Sequence, residues 1–318
     1  MVLCCATFPL IWVGGLVTTY DAGLAVPDWP NTYGYNLFLY PLSTWISGPF
    51  DIFVEHGHRL LGASVGLIAI CLVVVFFKYE NRSWAKALAV GCLLTVIAQG
   101  VLGGLRVVLK EVAVARIHGI TGPMFFGLTV LVVFVTSRSW NRFDASTRGV
   151  NKLAPLAWSL TGFAFLQLVL GAFVRHPSIT MDPRTFRTIT VAHILVAIML
   201  AAHALVALIR NYFDQDWKLS RTLSRLLNFV SLMILGQIAL GISTWLVKYG
   251  WPTWLPEWEL FAGYVVQEKS FLQASIVTAH VATGSLILAA AFALAAGSSR
   301  FLRQNELQQH KSAMEVYA

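Results

Sequence analysis

Long apolar runs alternate with short polar segments along the whole chain of 318 residues. A helix of about 20 apolar residues crosses the roughly 30 Å hydrocarbon core of a bilayer. Eight runs approach or reach that length, and they predict an all-α integral membrane protein. The eight predicted transmembrane helices cover approximately residues 3–20, 60–77, 87–105, 117–136, 153–174, 189–209, 226–247 and 271–297.

The composition supports this pattern, because 57% of the residues are hydrophobic and only 12% are charged. Soluble domains carry about twice that charged fraction. No basic residue precedes the first run and no convincing cleavage site follows it, so we interpret it as a spanning helix and not as a secretory signal. The four cysteines have no metal-site spacing and are expected to be apolar filler.

The net charge of +8 becomes informative once the cations are assigned to sides of the membrane. Of the segments between spans, one alternate set carries 14 Lys and Arg, and the other set carries 9. After the acidic residues are subtracted, the whole excess lies on the first side, which the positive-inside rule makes cytoplasmic. We therefore predict a multi-pass protein of the cell (inner) membrane with both termini cytoplasmic, and no nucleic-acid partner.

Two motifs repeat along the spans. Three of the four odd-numbered spans carry Gln-x-x-x-Gly, at Gln99/Gly103, Gln167/Gly171 and Gln237/Gly241. The first span has Ile11 and Gly15 at the corresponding place. Even-numbered spans carry a histidine followed four residues later by a small residue: His58/Gly62, His118/Gly122, His193/Ala197 and His280/Gly284. The repetition predicts two pseudo-symmetric four-helix bundles, 1–152 and 153–318.

Histidine inside a spanning helix is rare and is usually functional. Three of the four lie 20 residues from the first cytoplasmic cation and the fourth lies 17, which places all of them near the outer edge of the membrane. A small residue one turn deeper would leave bare backbone for a flat macrocycle, and imidazole is a common axial ligand of haem iron. We predict two haem sites, His58 with His118 and His193 with His280. Interhelical packing and a non-haem metal are the alternatives.

Only His58 has a carboxylate one turn before it, in the stretch Glu55-His56-Gly57-His58-Arg59. Glu55 and His58 share a helix face, so Glu55 is a candidate proton acceptor beside the first haem. The alternative is a salt bridge from Glu55 to Arg59 or Arg116. His203 lies outside the pattern and is expected to be a packing histidine, and His56 has no assigned role.

These residues together resemble the haem A synthase family of the oxidase-assembly pathway. The resemblance rests on Glu55-x-x-His58-Arg59, on the three later histidines, and on Gly23-Leu24 and Pro27-Asp28-Trp29-Pro30 of the first outer segment. It implies that the N-terminal half holds the substrate haem O and that the C-terminal half holds a haem b. It also implies that Glu55 is the catalytic carboxylate. Many bacterial members carry a cysteine pair in the first outer segment, which this chain lacks.

The resemblance implies an oxidoreductase that converts a methyl group of haem O to the formyl group of haem A through a hydroxymethyl intermediate. Water is the expected oxygen source, and Arg116, Arg175 and Arg187 are candidate contacts for haem propionates. Haem O synthase, the cytochrome oxidase assembly machinery, an unidentified electron acceptor, membrane lipid and a second copy of the chain are the expected partners. The rival functions are a dihaem b-type electron-transfer protein and a transporter built from repeats.

Overall fold

A computed structural model describes residues 1–141, 147, 149–252, 256 and 264–316. Helices form nearly all of this part of the chain, and within it no strand occurs. Their bounds are α1 Val2–Thr19, α2 Leu42–Ile46, α3 Phe50–Tyr79, α4 Ser83–Leu109, α5 Val112–Val135, α6 Arg138–Asn141, α7 Val150–Arg175, α8 Pro183–Phe213, α9 Arg221–Tyr249 and α10 Phe271–Val316, with a short 3₁₀ turn at Ala22–Leu24.

Eight of these helices are long and apolar enough to cross a membrane, which confirms the predicted number and order of spans. Most of them extend beyond the predicted bounds, because polar residues continue the helix past the apolar core. The α3 helix begins at Phe50, ten residues before the predicted start, and so includes both Glu55 and His58. The expectation that these two side chains share a helix is therefore confirmed.

The short connections between spans have identifiable local causes. Between α3 and α4, Nη2 of the Arg82 guanidinium lies 2.7 Å from the Glu80 carboxylate. The α4 helix ends where Lys110 takes a left-handed conformation and donates its N–H to the Arg106 carbonyl. The α8 helix begins with Pro183 at its first position, and the Asp182 side chain accepts the N–H of Arg184. These features let successive helices reverse direction within a few residues.

The chain divides into two compact units that do not correspond to its two halves. The first unit comprises Met1–Gly122 and Gly236–Gly284, and the second comprises Pro123–Leu235 and Ser285–Ala318. The boundaries pass through α5, α9 and α10. The division into bundles 1–152 and 153–318 therefore stays a prediction.

In the second unit, α7, α8, α9 and α10 all contribute to buried hydrophobic clusters. One cluster includes Leu153, Ala207, Leu227 and Leu294, each of them fully buried. The next cluster along the helices is also drawn from all four of them. In the first unit, α1 packs beside α3 and α3 packs beside α4. A small cluster of Val17, Ala22 and Val54 joins α1, the 3₁₀ turn and α3.

Candidate functional site

The four predicted ligand histidines lie near the beginnings of α3, α5, α8 and α10. Each is within the first eleven residues of its helix, and each is partly buried. The equivalent position in four different helices agrees with the repeat that the sequence predicts. The setting of each imidazole can therefore be compared from one repeat to the next.

Every one of these imidazoles lies against a glycine of the preceding spanning helix. A Cβ built at that glycine would meet the Cε1 atom of the ring as its nearest neighbour. The distances from that Cβ to Cε1 are 2.9 Å for Gly14 and His58, 3.4 Å for Gly103 and His118, 3.5 Å for Gly171 and His193, and 3.2 Å for Gly241 and His280. Glycine at these positions lets the ring approach the backbone of its neighbouring helix closely.

In three repeats a glutamine on the preceding helix also binds the histidine backbone. The side-chain Nε2 donates to the histidine carbonyl over 3.4 Å from Gln99 to His118, 2.6 Å from Gln167 to His193, and 2.9 Å from Gln237 to His280. The Gln-x-x-x-Gly motif thus holds one histidine with two residues. The glutamine fixes the histidine backbone and the glycine accommodates its ring.

The first repeat is displaced by one residue from the predicted alignment. We aligned Ile11 and Gly15 with the motif, but Gly14 is the glycine that meets His58. Gly15 instead packs against the Thr278 side chain. The residue four positions before Gly14 is Leu10, whose side chain has no amide group to donate. His58 therefore lacks the glutamine contact that the other three histidines have.

The small residue four positions after the histidine faces a glutamine at two of the four sites. A Cβ at Gly122 would lie 3.8 Å from the Gln99 amide nitrogen, which is ordinary contact, and a Cβ at Gly284 would lie 3.1 Å from that of Gln237. At Gly284 the glycine makes room for the glutamine, and the bare backbone that we predict for a macrocycle stays a prediction. At Gly62 no heavy atom of the described residues lies within 4 Å of such a Cβ.

Glu55 is 3% exposed, and both of its carboxylate oxygens are engaged. Oε1 accepts from Arg59 Nη2 at 2.8 Å, and Oε2 accepts from the backbone N–H of Val26 at 2.8 Å. Of the two salt-bridge partners that the sequence allowed, the structure has Arg59. The pair lies one turn from His58 on α3, so a buried carboxylate is held beside the first predicted haem ligand.

Arg59 also ties the first outer segment to α3. Its guanidinium donates to the carbonyls of Val26, Asp28 and Asn31 at 2.7 to 2.9 Å. The Asp28 carboxylate in turn accepts the N–H groups of Tyr33 and Gly34, each at 2.8 Å. Burial raises the pKa of Asp28, but these two backbone donors and nearby Arg59 outweigh it and hold the pKa below its usual value. The segment thereby forms an ordered cover at the start of α3.

Two further histidines have structural surroundings. His56 is buried, its Nδ1 lies 3.0 Å from the Thr32 hydroxyl, and the rings of Tyr40 and Trp45 pack around it. His203 has its Nδ1 2.8 Å from the Met199 carbonyl and makes an edge contact with Phe163. The prediction that His203 is a packing histidine is confirmed. His56 serves the first outer segment in the same way.

Sequence reasoning missed Arg106, which we counted as a loop cation. It lies in the last turn of α4, three residues after the glycine that meets His118. Its guanidinium is within electrostatic reach of His58, His118 and Glu55. The spacing Gly103-x-x-Arg106 was the available signal, because residues three apart share a helix face.

The three arginines predicted to contact propionates lie at helix ends. Arg116 is in the second turn of α5, two residues before His118, and Arg175 is the last residue of α7. Both are partly buried, whereas Arg187, in the second turn of α8, is exposed. Their assignment as propionate contacts stays a prediction.

The first unit brings His58 and His118 within electrostatic reach of each other. Imidazole is a common ligand of haem iron, so these two residues could hold a haem. Among the described residues, no group of three or more His, Cys, Asp or Glu side chains is arranged to hold a bare metal ion. His193 and His280 each have the same glycine and glutamine contacts, but they belong to different units, so their pairing stays a prediction.

Comparison with known proteins gives a consistent set of similarities. Residues 1–187 match the sequence model of COX15-CtaA, described as cytochrome oxidase assembly protein. Three curated relatives are all named Heme A synthase. The protein of Shewanella oneidensis is 26% identical over 285 residues, covering 74% of this chain and 83% of its own length. That of Symbiobacterium thermophilum is 27% identical, covering 54% and 56%, and that of Bacillus mycoides is 23% identical, covering 58% and 67%.

Proposed function

The chain belongs to the COX15-CtaA family of cytochrome oxidase assembly proteins, and from that premise we propose that it is a haem A synthase. The observation that supports this most directly is the arrangement in the first unit. His58 and His118 each lie against a glycine of the neighbouring helix and interact electrostatically, and a buried, charge-paired carboxylate precedes His58 by a single turn. The relatives that share the printed name Heme A synthase agree with this proposal.

In this proposal His58 and His118 would hold the substrate, haem O, and the product is haem A. His193 and His280 would hold a haem b, because each has the same glycine and glutamine setting as His118. When bound, that haem b supplies one-electron transfer away from the substrate site. The protein residues bind and orient the substrate and accept the protons that it releases.

The reaction that we propose consists of two oxidations at one methyl carbon. The first removes two electrons and two protons overall and adds the oxygen of a water molecule, which gives a hydroxymethyl group. The second removes two more electrons and two more protons, which gives the formyl group. In this proposal Glu55 accepts a proton or stabilises positive charge at this carbon. The electrons leave to an electron acceptor of the membrane.

The role of Glu55 is tested by expressing a Glu55→Ala variant together with haem O synthase and identifying the haems extracted from the cells. We expect haem O to accumulate and haem A to be lost. Glu80→Ala is a matched control, because Glu80 also pairs with an arginine but lies in the connection after α3. Normal conversion by Glu55→Ala would overturn this role.

Glu55 also holds the first outer segment, so a second variant separates structure from chemistry. Glu55→Gln keeps an oxygen that accepts the Val26 N–H but loses the negative charge. If the carboxylate acts in the reaction, this variant binds haem O as the wild type does and converts it much more slowly. If Glu55 only holds the segment, the variant retains most of its turnover.

The class of protein is tested by chromatography of the haems bound to the purified protein. Haem B together with haem O, a hydroxylated haem or haem A supports a synthase. Haem B alone, with haem O available in the cell, favours a dihaem b-type electron-transfer protein. A colourless protein favours a transporter. In the proposed function, haem O synthase supplies the substrate, and the cytochrome oxidase assembly machinery receives the product in the cell (inner) membrane.

A further inference from the structure

Arg106 has an unusual position for a cation. It belongs to a spanning helix, it is partly buried, and its guanidinium lies against the backbone of the first outer segment. A Cβ added at Gly23 would collide with it, since the Cζ atom is only 2.7 Å from that point. One turn earlier on the same helix, Gly103 accommodates the His118 ring. The Arg106 side chain therefore leaves α4 on the helix face against which the His118 ring packs.

The acidic residues near Arg106 already have other partners. Glu55 is bound by Arg59 and by the Val26 N–H, and Asp21 is 3.0 Å from the Lys269 ammonium group. Both carboxylates attract Arg106 electrostatically, but within the described ranges neither lies within 4.0 Å of its guanidinium. A guanidinium has five N–H donors and can bind one carboxylate through two parallel hydrogen bonds. An anion beside His58 and His118 would fit this position.

We propose that Arg106 binds a carboxylate side chain of the macrocycle that His58 and His118 ligate. This inference rests on the proposed function, because it takes haem O as the ligand of the first unit. Haem propionates are carboxylates attached to the edge of the ring, so a cation near the two histidines that would hold the ring could reach one of them. Arg106 is within electrostatic reach of both imidazoles. Of the arginines predicted from the sequence, Arg187 is exposed on α8 in the other unit.

The same contact explains why Gly23 stands opposite Arg106. The first outer segment is anchored to α3 through Arg59, so the Gly23 backbone is a fixed surface for the guanidinium. Arg106 is thereby oriented before the ligand arrives, which lowers the entropy lost on binding. Glycine is needed there because any side chain would occupy the position of the guanidinium.

The test compares haem O with its dimethyl ester, in which both propionates are neutral. The full-length protein is titrated in detergent and binding is followed by the haem absorption band. A His118→Ala variant identifies the part of the signal that belongs to the first unit. We expect the wild type to bind the free acid about tenfold or more tightly than the ester, as charged hydrogen bonds typically provide. Arg106→Met should lose that preference, and Arg106→Lys should keep part of it.

Two further variants sharpen the result. Gly23→Ala keeps the charge of Arg106 but displaces its guanidinium, and it should weaken binding of the acid more than binding of the ester. Arg303→Met removes an exposed arginine of α10 that has no assigned role, and it should leave the preference unchanged. The haem signal that remains in His118→Ala belongs to the other predicted haem site, and the presence of that signal in each variant shows that the variant is folded. If Arg106→Met is not folded, the comparison is made with Arg106→Lys and Gly23→Ala.

The outcomes separate the inference from the proposed function. If the wild type binds neither form in the first unit, the proposed function fails. If it binds both forms equally, or if Arg106→Met and Gly23→Ala keep the full preference for the acid, the assignment of Arg106 is overturned and the synthase proposal stands.

Discussion

Substitution by alanine is expected to change stability unequally at Gly284 and Gly122, although both glycines follow a histidine by four residues. A Cβ at Gly284 would lie 3.1 Å from the Gln237 amide, which is closer than ordinary contact, whereas at Gly122 the distance to Gln99 is 3.8 Å. Gly284→Ala should displace the Gln237 amide from the His280 carbonyl and cost about 1 kcal/mol. Gly122→Ala should be neutral or stabilising, because alanine favours helices.

Thermal unfolding of the two variants in the same detergent measures this difference. The amide band of Gln237 or the haem spectrum assigned to His280 serves as a local probe. Equal unfolding temperatures for the two variants would contradict the tight contact at Gly284.

At Asp28, the pKa is held below its usual value by two backbone N–H groups, despite the opposing effect of burial. A lowered pKa means that the carboxylate contributes fully to the order of the first outer segment above its ordinary pKa of 3.8. This contribution is lost as the pH falls through the lowered value. We expect Trp29 fluorescence to change in that acidic range. Asp28→Asn should remove this transition, and a wild-type transition near neutral pH would contradict it.

The helix pair is the element that repeats, and its parts can be tested one at a time. Gln167→Leu removes the donor to the His193 carbonyl, a hydrogen bond of 2.6 Å within one unit. Hydrogen bonds between membrane helices contribute on average about 0.6 kcal/mol, so a small loss of stability is expected. The larger expected effect is a broadened haem spectrum, because the helix turn that carries His193 is no longer fixed. Gln304→Leu, in the part of α10 beyond the apolar run, is the control.

For the helices, the sequence predicted the spans and the histidine positions but not the contacts between helices. The eight spans and the positions of the histidines follow from apolar run length and spacing, which are local properties. The contact between Gln99 and the His118 carbonyl joins two helices, and no spacing within either helix shows it. The register of the first repeat was wrong for a similar reason. Without glutamine in α1, the adjacent Gly14 and Gly15 are indistinguishable until packing places one on His58 and the other on Thr278.

The site shows the same limit. Glu55 and His58 were predicted together because they lie on one helix face, and the choice between Arg59 and Arg116 needed the structure. Arg106 looked like a topology signal because the apolar run ends just before it. Its relation to Gly23 depends on how the first outer segment folds over α4, where Gly104 also admits the Trp29 indole. Contacts between distant segments of this kind have no local pattern.

For the whole molecule, the charge asymmetry predicts an orientation that can be measured. Reporter domains that are active only in the cytoplasm should work when inserted in the connection at Glu80–Arg82 and fail at residues 176–182. Reporters that are active only outside should give the reverse pattern. The reason is that 14 of the 23 cations lie in segments on the first of these sides. Activity of one reporter at both sites would overturn the predicted topology.

Leu10 leaves the first of the four repeats without a side-chain amide. A glutamine donates to the backbone carbonyl of each of the other three histidines, so the helix turn that carries His58 is held to its neighbouring helix less firmly than the turn that carries His118. A resident cofactor must stay through many turnovers, whereas a product must leave after each one. In the proposed function, the less firmly held histidine is the one that releases the product. Leu10→Gln should then lengthen the residence time of haem A and slow turnover while haem O binding is kept.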